Sequence, residues 1–331
     1  MDGRRTITVV GCHAGGEVGN VVVGGVDPPP GATVREQMET LRGDDSLRRF
    51  LLREPRGSVA THANLVVPAT RPDCAYGYVI MEPTEYPPMS GSNTICVATV
   101  LLETGLVPMQ EPETVLRLEA PAGVVEARCA CRGGRVESVE LTNVRSFAER
   151  LDAPLEVSGL APLTVDVAFG GMWYAIADAA ALGFALEPHE ARELCEVGER
   201  IRLAAKAQLD ERVSIVQLAG TWQGVGAVSR NAVVIAPGRL DRSATGTGLS
   251  ARLAALHARG LMRVGDTMTH ASPIGSTFDG RIVAEADGGI VPAIRGSAFV
   301  TGRIEWYVDE RDPFPHGYLL SDTWPGDDVQ R

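Results

Sequence analysis

One short pattern occurs twice in this chain, and it constrains the fold more than any other feature. Met89-Ser90-Gly91-Ser92-Asn93-Thr94 opens an apolar helical run that stops at Gly105. Ala244-Thr245-Gly246-Thr247-Gly248 opens a second run that stops at Gly260. In each case the hydroxyl residue stands fifteen positions before the glycine. Each glycine precedes an apolar pair, Leu106-Val107 and Leu261-Met262, as expected where a helix ends on a left-handed residue. Each run also follows a buried-looking strand and a proline-containing turn. Two equivalent units about half a chain apart imply a duplicated fold.

The rest of the chain alternates strands and helices. Strands are predicted over 6–10 and 20–26, flanking the Gly-rich turn His13-Ala-Gly-Gly-Glu17. Helical periodicity covers 34–54, where Met38, Leu41, Leu47, Phe50 and Leu51 fall near one face. Residues 64–68 and 76–82 are strand-like, as are 114–119 and 123–142. A long polar helix is expected over 186–209, short apolar strands over 213–218 and 231–236, and a strand-like tail over 281–308. This order indicates α/β or α+β. At 331 residues there is room for two domains.

Composition narrows the function. The net charge of −11 argues against non-specific binding to nucleic acid or to an anionic membrane. No apolar run reaches transmembrane length, and the N-terminus lacks the apolar stretch of a signal peptide. A cytoplasmic protein is expected. The six cysteines form no CxxC pair, so neither a metal cluster nor a disulfide framework is expected. Cys96 falls inside the first repeated helix and reads as a core residue. His62, His189, His270 and His316 match no ligand spacing and read as structural or solvated.

A hydroxyl before a small-residue turn at a helix start has a plain reading, N-capping. The glycines support another. Gly91, Gly246 and Gly248 leave backbone N–H groups uncovered by side chains, and a carboxylate can sit there, favoured by the helix dipole. Two such starts gripping one carboxylate would put Ser90 and Thr245 on opposite faces of the adjacent α-carbon. Removing an α-proton builds charge that spreads into the carboxylate, and preorganised N–H donors stabilise that charge. No pyridoxal site is evident, and Gly246-x-Gly248 lacks the lysine of a phosphate loop. No cofactor is expected.

The chain resembles the proline racemase superfamily, which includes hydroxyproline epimerases and trans-3-hydroxyproline dehydratases. The resemblance runs nearly end to end. It is carried by Gly11-Cys-His-Ala-Gly-Gly-Glu17, Pro88-Met-Ser-Gly-Ser-Asn-Thr94 and Phe169-Gly-Gly-Met-Trp-Tyr-Ala-Ile-Ala-Asp178. The strongest block is Asp241-Arg-Ser-Ala-Thr-Gly-Thr-Gly248 with Ser250-Ala-Arg252, followed by Gly296-Ser-Ala-Phe-Val-Thr-Gly302. The resemblance implies a diaminopimelate epimerase-like fold: two similar domains, each a curled sheet around a central helix, with the active site in the cleft between them. It places the first domain at 1–123 plus 300–331 and the second at 124–299. It implies Ser90 and Thr245 as the catalytic pair. Gly91, Ser92, Asp241, Gly246 and Thr247 would bind a proline-type substrate, with Asp241 at the amine. A homodimer is common among such relatives.

Departures from the family pattern shape the expected reaction. Racemases and epimerases usually carry cysteine at both base positions; this chain has Ser90 and Thr245. A hydroxyl is harder to deprotonate than a thiol. The pair therefore points to a one-base lyase that dehydrates trans-3-hydroxy-L-proline. A 4-hydroxyproline 2-epimerase or proline racemase is the alternative, and a catalytically silent imino-acid-binding protein is a third. Ser92 replaces a frequent histidine, and Ser92 with Asn93 makes the substrate end of the pocket more open or differently polar. Phe169 to Tyr174 is expected to form a cleft wall, the simpler choice being a bulged strand.

Overall fold

The structure, a computed structural model, describes residues 5–324. The chain runs through β1 (Thr6–Ala14), β2 (Glu17–Gly24), α1 (Val34–Gly43), α2 (Ser46–Leu52), β3 (Thr61–Val67), β4 (Tyr76–Met81) and α3 (Gly91–Glu103). Strands β5 (Glu113–Ala120), β6 (Gly123–Arg132), β7 (Arg135–Thr142), β8 (Phe147–Leu155), β9 (Leu163–Phe169) and β10 (Trp173–Asp178) follow. Next come α4 (Ala191–Gln208), β11 (Ile215–Ala219), β12 (Val228–Ile235), the two-residue β13 (Arg239–Leu240) and α5 (Gly246–Ala258). The chain closes with β14 (Thr267–Ala271), β15 (Thr277–Ala286), β16 (Gly289–Gly296) and β17 (Ala298–Tyr307). No helix among the described residues is long and apolar enough to cross a membrane.

Contacts divide the chain into two compact units. One takes the residues up to Leu141 and those from Ser297 on; the other is Thr142–Gly296. The boundary drawn from the resemblance, 123/124, falls on the first residues of β6. The division comes later because the whole of β5 pairs with β6, and β7 pairs with β6.

Each unit is built on eight main strands that match one for one, the two-residue β13 being an extra pairing on β12 in the second. In the first the order is β17-β1-β2-β3-β4-β5-β6-β7. In the second it is β8-β9-β10-β11-β12-β14-β15-β16. Parallel pairs occur at the same two places, β2–β3 and β4–β5 in one, β10–β11 and β12–β14 in the other. Helices fill the parallel crossovers: α1 and α2 then α3 in the first, α4 then α5 in the second. One strand breaks the parity. The leading strand of the second sheet, β8, precedes it in sequence. Its counterpart β17 returns from the far end of the chain to pair antiparallel with β1.

The second crossover helix is the axis of each unit. From Gly91 to Leu102 every residue of α3 is buried, and a helix apolar all round needs protein on all sides. Strands β1, β2, β3, β6 and β17 supply it, so the sheet curls around the helix. In the same way α5 packs against β8, β9, β10, β15 and β16. Val97, Val100 and Leu101 have no exposed surface; each such side chain stabilises the fold by roughly 1.5–3 kcal/mol. The outer face of the first sheet is covered by α1 and α2, through Met38, Leu41, Phe50 and Leu51. The second is covered by α4, through Leu194, Val197 and Ile201.

Local chemistry explains where the predicted elements needed revision. The helix expected over 34–54 is two helices, because Gly43-Asp44-Asp45 interrupts it. Asp44 turns extended, and its carboxylate accepts from Ser46 N at 3.2 Å, the competition with helix that short polar side chains exert. The long polar helix begins as a 3₁₀ turn over Pro188–Glu190, closed by a reciprocal Glu187–Glu190 capping box. Phe169 to Tyr174 is a hairpin connecting β9 and β10. Strands β8, β9, β13 and β14 lie outside the predicted strands, and β10 is met only by the bulged-strand choice for Phe169 to Tyr174.

Candidate active site

Helices α3 and α5 each have 13 residues. Their C-terminal ends match: Gly105 and Gly260 take φ of 74° and 72°, left-handed values that glycine adopts at no steric cost. At their N-terminal ends Ser90 and Thr245 hold the cap positions, yet neither side chain makes a capping hydrogen bond. The plain capping reading therefore fails for both. Neither first turn contains an acidic residue, so no carboxylate of either helix's own first turn offsets its positive dipole end.

The two cap hydroxyls have opposite hydrogen-bond polarity. In the first unit Asn93 Nδ2 donates to Ser90 Oγ at 3.0 Å. Asn93 Nδ2 also reaches His62 Nδ1 at 3.1 Å, and Asn93 Oδ1 accepts from Asn64 Nδ2 at 2.9 Å. His62 Nε2 lies 3.3 Å from Glu17 Oε1, and His62 Nδ1 lies 3.6 Å from Glu82 Oε1. Ser92 Oγ is 3.4 Å from Ser90 Oγ. In the second unit Thr245 Oγ1 is the donor, to Asp241 Oδ2 at 3.0 Å. The other oxygen of Asp241 accepts from Ser243 N at 2.7 Å.

Thr245 also carries backbone strain. Its φ is 58° and its ψ 103°, an outlier for a β-branched residue that costs on the order of 1–3 kcal/mol. Surrounding bonds impose it. Thr245 N donates to Ser243 Oγ at 3.1 Å, and Asn231 Nδ2 holds the preceding carbonyl, Ala244 O, at 3.2 Å. Strain fixed in this way keeps the hydroxyl on its carboxylate.

A tyrosine anchors the first turn of each helix. Tyr78 OH lies 2.6 Å from Thr94 Oγ1, and Tyr174 OH lies 2.6 Å from Thr247 Oγ1. Burial pushes the Tyr78 phenol far above its usual range, so it stays neutral. Gly170, in the β9–β10 hairpin, touches α5 so closely that a Cβ would lie 2.2 Å from Thr247 O. Behind it Phe147, Phe169 and Trp173 cluster, and the Arg212 guanidinium stacks 3.8 Å from the Trp173 ring centre.

The structure thus groups the expected residues by unit: Ser90, Gly91 and Ser92 at the start of α3, Asp241, Thr245, Gly246 and Thr247 at the start of α5. Behind Ser90 stand His62 and Asn64, to which sequence reasoning gave no role at the site, and Asn93, which it counted only as altering the pocket's polarity. Two signals could have found them. Asn93 stands three residues after Ser90, on the same side of a helix. His62 and Asn64 alternate on one face of a strand. Cys96 is a core residue as expected. Burial, and after it the neighbouring Cys12, drive its thiol well above its usual range. His13 accepts from Gly16 N at 3.2 Å and packs on Phe299. Among the described residues no cluster of His, Cys, Asp or Glu could hold a metal ion.

Known proteins with this architecture are informative at two levels. The fold alone is shared with a Bacillus anthracis phenazine biosynthesis protein of the PhzF family, at 13% identity over 91% of this chain and 99% of that one, TM-score 0.60. Much nearer is a hydroxyproline epimerase from Agrobacterium vitis, solved with bound trans-4-hydroxy-L-proline. It is 37% identical over 98% of each chain, TM-score 0.90. A probable proline racemase from Agrobacterium radiobacter K84, solved with bound carbonate, is 38% identical over 96% of this chain and 98% of that one, TM-score 0.89. The family model described as proline racemase matches residues 9–319. With the duplicated sheets and the paired helix starts, that match shows that the chain belongs to the proline racemase family.

Proposed function

We propose that this protein dehydrates trans-3-hydroxy-L-proline to a pyrroline-2-carboxylate without a cofactor. One observation carries the reading: the Thr245 hydroxyl already donates a hydrogen bond to the Asp241 carboxylate. A hydroxyl alone is a poor base. A hydroxyl whose proton can pass to an adjacent carboxylate is a better one. Thr245 Oγ1 takes the α-proton while its own proton moves to Asp241. The substrate carboxylate is met by the backbone N–H groups of Gly246 and Thr247 at the start of α5, beside the base. There the helix dipole stabilises the charge that builds as the C–H bond breaks. The C–H electron pair becomes the ring double bond, and the 3-hydroxyl leaves as water. Asp241 also supplies negative charge suited to the ring ammonium.

A second reading is 2-epimerisation of 4-hydroxyproline, favoured by 37% identity to the A. vitis epimerase. It needs two groups that can each give and take a proton. Two hydroxyls of opposite polarity suit that less well than an elimination. Proton NMR in D₂O, with trans-3-hydroxy-L-proline, trans-4-hydroxy-L-proline and L-proline in separate samples, tests both. We expect consumption of the 3-hydroxy compound alone. Epimer formation with deuterium at the α-carbon of either other compound would establish the isomerase instead. Binding without turnover in all three would point to a silent binding protein.

A further inference from the structure

We infer that Ser90 is fixed as the proton donor of the catalytic pair by a buried amide lock built from His62, Asn64 and Asn93. The inference rests on the acid–base reading above and extends it to residues outside the two helix caps.

A carboxamide offers two N–H donors and one carbonyl acceptor. Asn93 has all three engaged: Oδ1 by Asn64, one N–H by His62 Nδ1, the other by Ser90 Oγ. Reversing the amide would set its NH₂ against that of Asn64 and its oxygen against the lone pair of His62. The orientation is therefore forced. Asn64 is fixed in turn, since its Nδ2 also donates to Asn20 O at 3.3 Å. His62 has to present Nδ1 as an acceptor. The 3.1 Å contact to Asn93 is a hydrogen bond, whereas the 3.6 Å separation from Glu82 Oε1 is too long for one. Its proton then lies on Nε2, facing Glu17.

The lock is sealed from water. His62, Asn64, Asn93 and Glu17 are exposed by 3%, 0%, 1% and 1%. Polar groups buried so deeply are costly unless paired, and every polar atom of the Asn93 side chain is paired. Space for it comes from Gly19, where a Cβ would lie 3.0 Å from both Asn93 Oδ1 and Cys96 Sγ.

The consequence falls on Ser90. Its oxygen accepts a hydrogen bond from Asn93, so its own hydrogen points away from Asn93, toward the Ser92 side and substrate. As C3–O breaks, Ser90 gives that proton to the departing hydroxyl, which leaves as water. The negative charge left on Ser90 Oγ is held by Asn93 N–H and the start of α3. After product leaves, Asp241 gives its proton to solvent and Ser90 takes one from solvent, and the balance closes. His62, Asn64 and Asn93 are positioning residues.

The test follows product formation and α-hydrogen exchange together, in D₂O, for wild type, Asn93→Asp, His62→Leu and His62→Gln. In Asn93→Asp the carboxylate keeps the shape of the amide and loses its N–H donors. We expect Asn93→Asp to lower kcat for product by about 100-fold, as loss of an oxyanion donor does. KM should hold, and α-exchange should stay within about threefold because the Thr245 side is intact. His62→Leu should lower kcat about tenfold, and His62→Gln, whose amide oxygen can still accept, should recover most of it. Thermal melting confirms that each variant is folded.

Equal loss of exchange and product in Asn93→Asp, or no loss of product, would overturn the lock. Should Asn93→Asp not fold, the His62 pair decides, and equal kcat values for Leu and Gln overturn it. If the wild type epimerises 4-hydroxyproline instead, the dehydration reading falls. The lock is then judged on that substrate by the same split, because exchange needs only Thr245 and epimerisation also needs the Ser90 proton. No exchange and no product on any substrate would overturn both.

Discussion

The two units differ least in their sheets and most at one atom. Eight strands follow the same order and direction in each, and a buried helix of equal length runs through each. At the helix start one unit offers an oxygen that accepts and the other an oxygen that donates. The difference arises one layer behind the hydroxyls. Behind Ser90 stands an amide from its own helix, oriented by a histidine and an asparagine of β3. Behind Thr245 stands a carboxylate from the preceding turn, at i−4 in a segment that is not helical. Duplication supplied two equivalent pedestals, and the residues under each cap set its role.

Removing the base side should give the largest effect. Thr245→Ala is expected to lower kcat by about 10³-fold or more, at the upper range for a general base. Asp241→Asn should cost nearly as much, because the amide cannot take the proton. In both, α-exchange should fall together with product, opposite to the split expected behind Ser90. Matched losses on the two sides would erase the asymmetry.

Making the caps chemically alike should come next. A double variant, Ser90→Cys with Thr245→Cys, installs two groups with pKa near ~8.5 that can each give and take a proton. Epimerisation of 4-hydroxyproline should rise at least tenfold over wild type, read by chiral chromatography. No gain would show that the layer behind the caps governs the outcome regardless of the caps.

A third contrast concerns buried histidines. His62 faces two carboxylates, whereas burial, and after it the Arg252 charge, pull His270 down to about 3. The unfolded chain therefore binds this proton more readily than the folded one. The contribution of His270 is complete above its unfolded pKa near 6.5. It is lost progressively as pH falls toward 3. Urea denaturation between pH 7 and pH 4 should show stability falling by a few kcal/mol, with a shallower slope in His270→Gln.

The smallest effects test the parity itself. Gly105→Ala and Gly260→Ala meet no atom within 4 Å, and both sit at left-handed φ. Each should cost about 1 kcal/mol, by equal shifts in the denaturation midpoint. A large inequality would mean that the helix ends are less alike than their backbones.

Much of the pedestal was legible in the sequence. The two hydroxyl-glycine starts and their closing glycines follow from the requirements of helix ends, and these are local. The polarity of each cap was not legible, because it depends on tertiary contacts. His62 in a strand gives no local sign that it orients an amide on α3. Asp241, expected at the substrate amine, accepts from Thr245 across a turn whose strained backbone no propensity foretells. Strand β8 escaped because its residues are mostly half-buried or exposed, without a clean apolar alternation. The break at Asp44 was written in the side chains, yet the apolar spacing on either side of it masked it.

The strand that returns from the far end has a consequence during synthesis. The second unit is contiguous, so it can close soon after Gly296 leaves the ribosome. The first cannot, although its other strands are made earlier. Its sheet lacks β17 until Tyr307 has emerged, and at roughly 5–20 residues per second that delay is on the order of tens of seconds. Throughout it β1 is an open edge with one partner instead of two, a template for mispairing between nascent chains. The half of the protein made first is the half completed last, and a ribosome that stalls late in the message would release a finished second unit tethered to an unfinished first one.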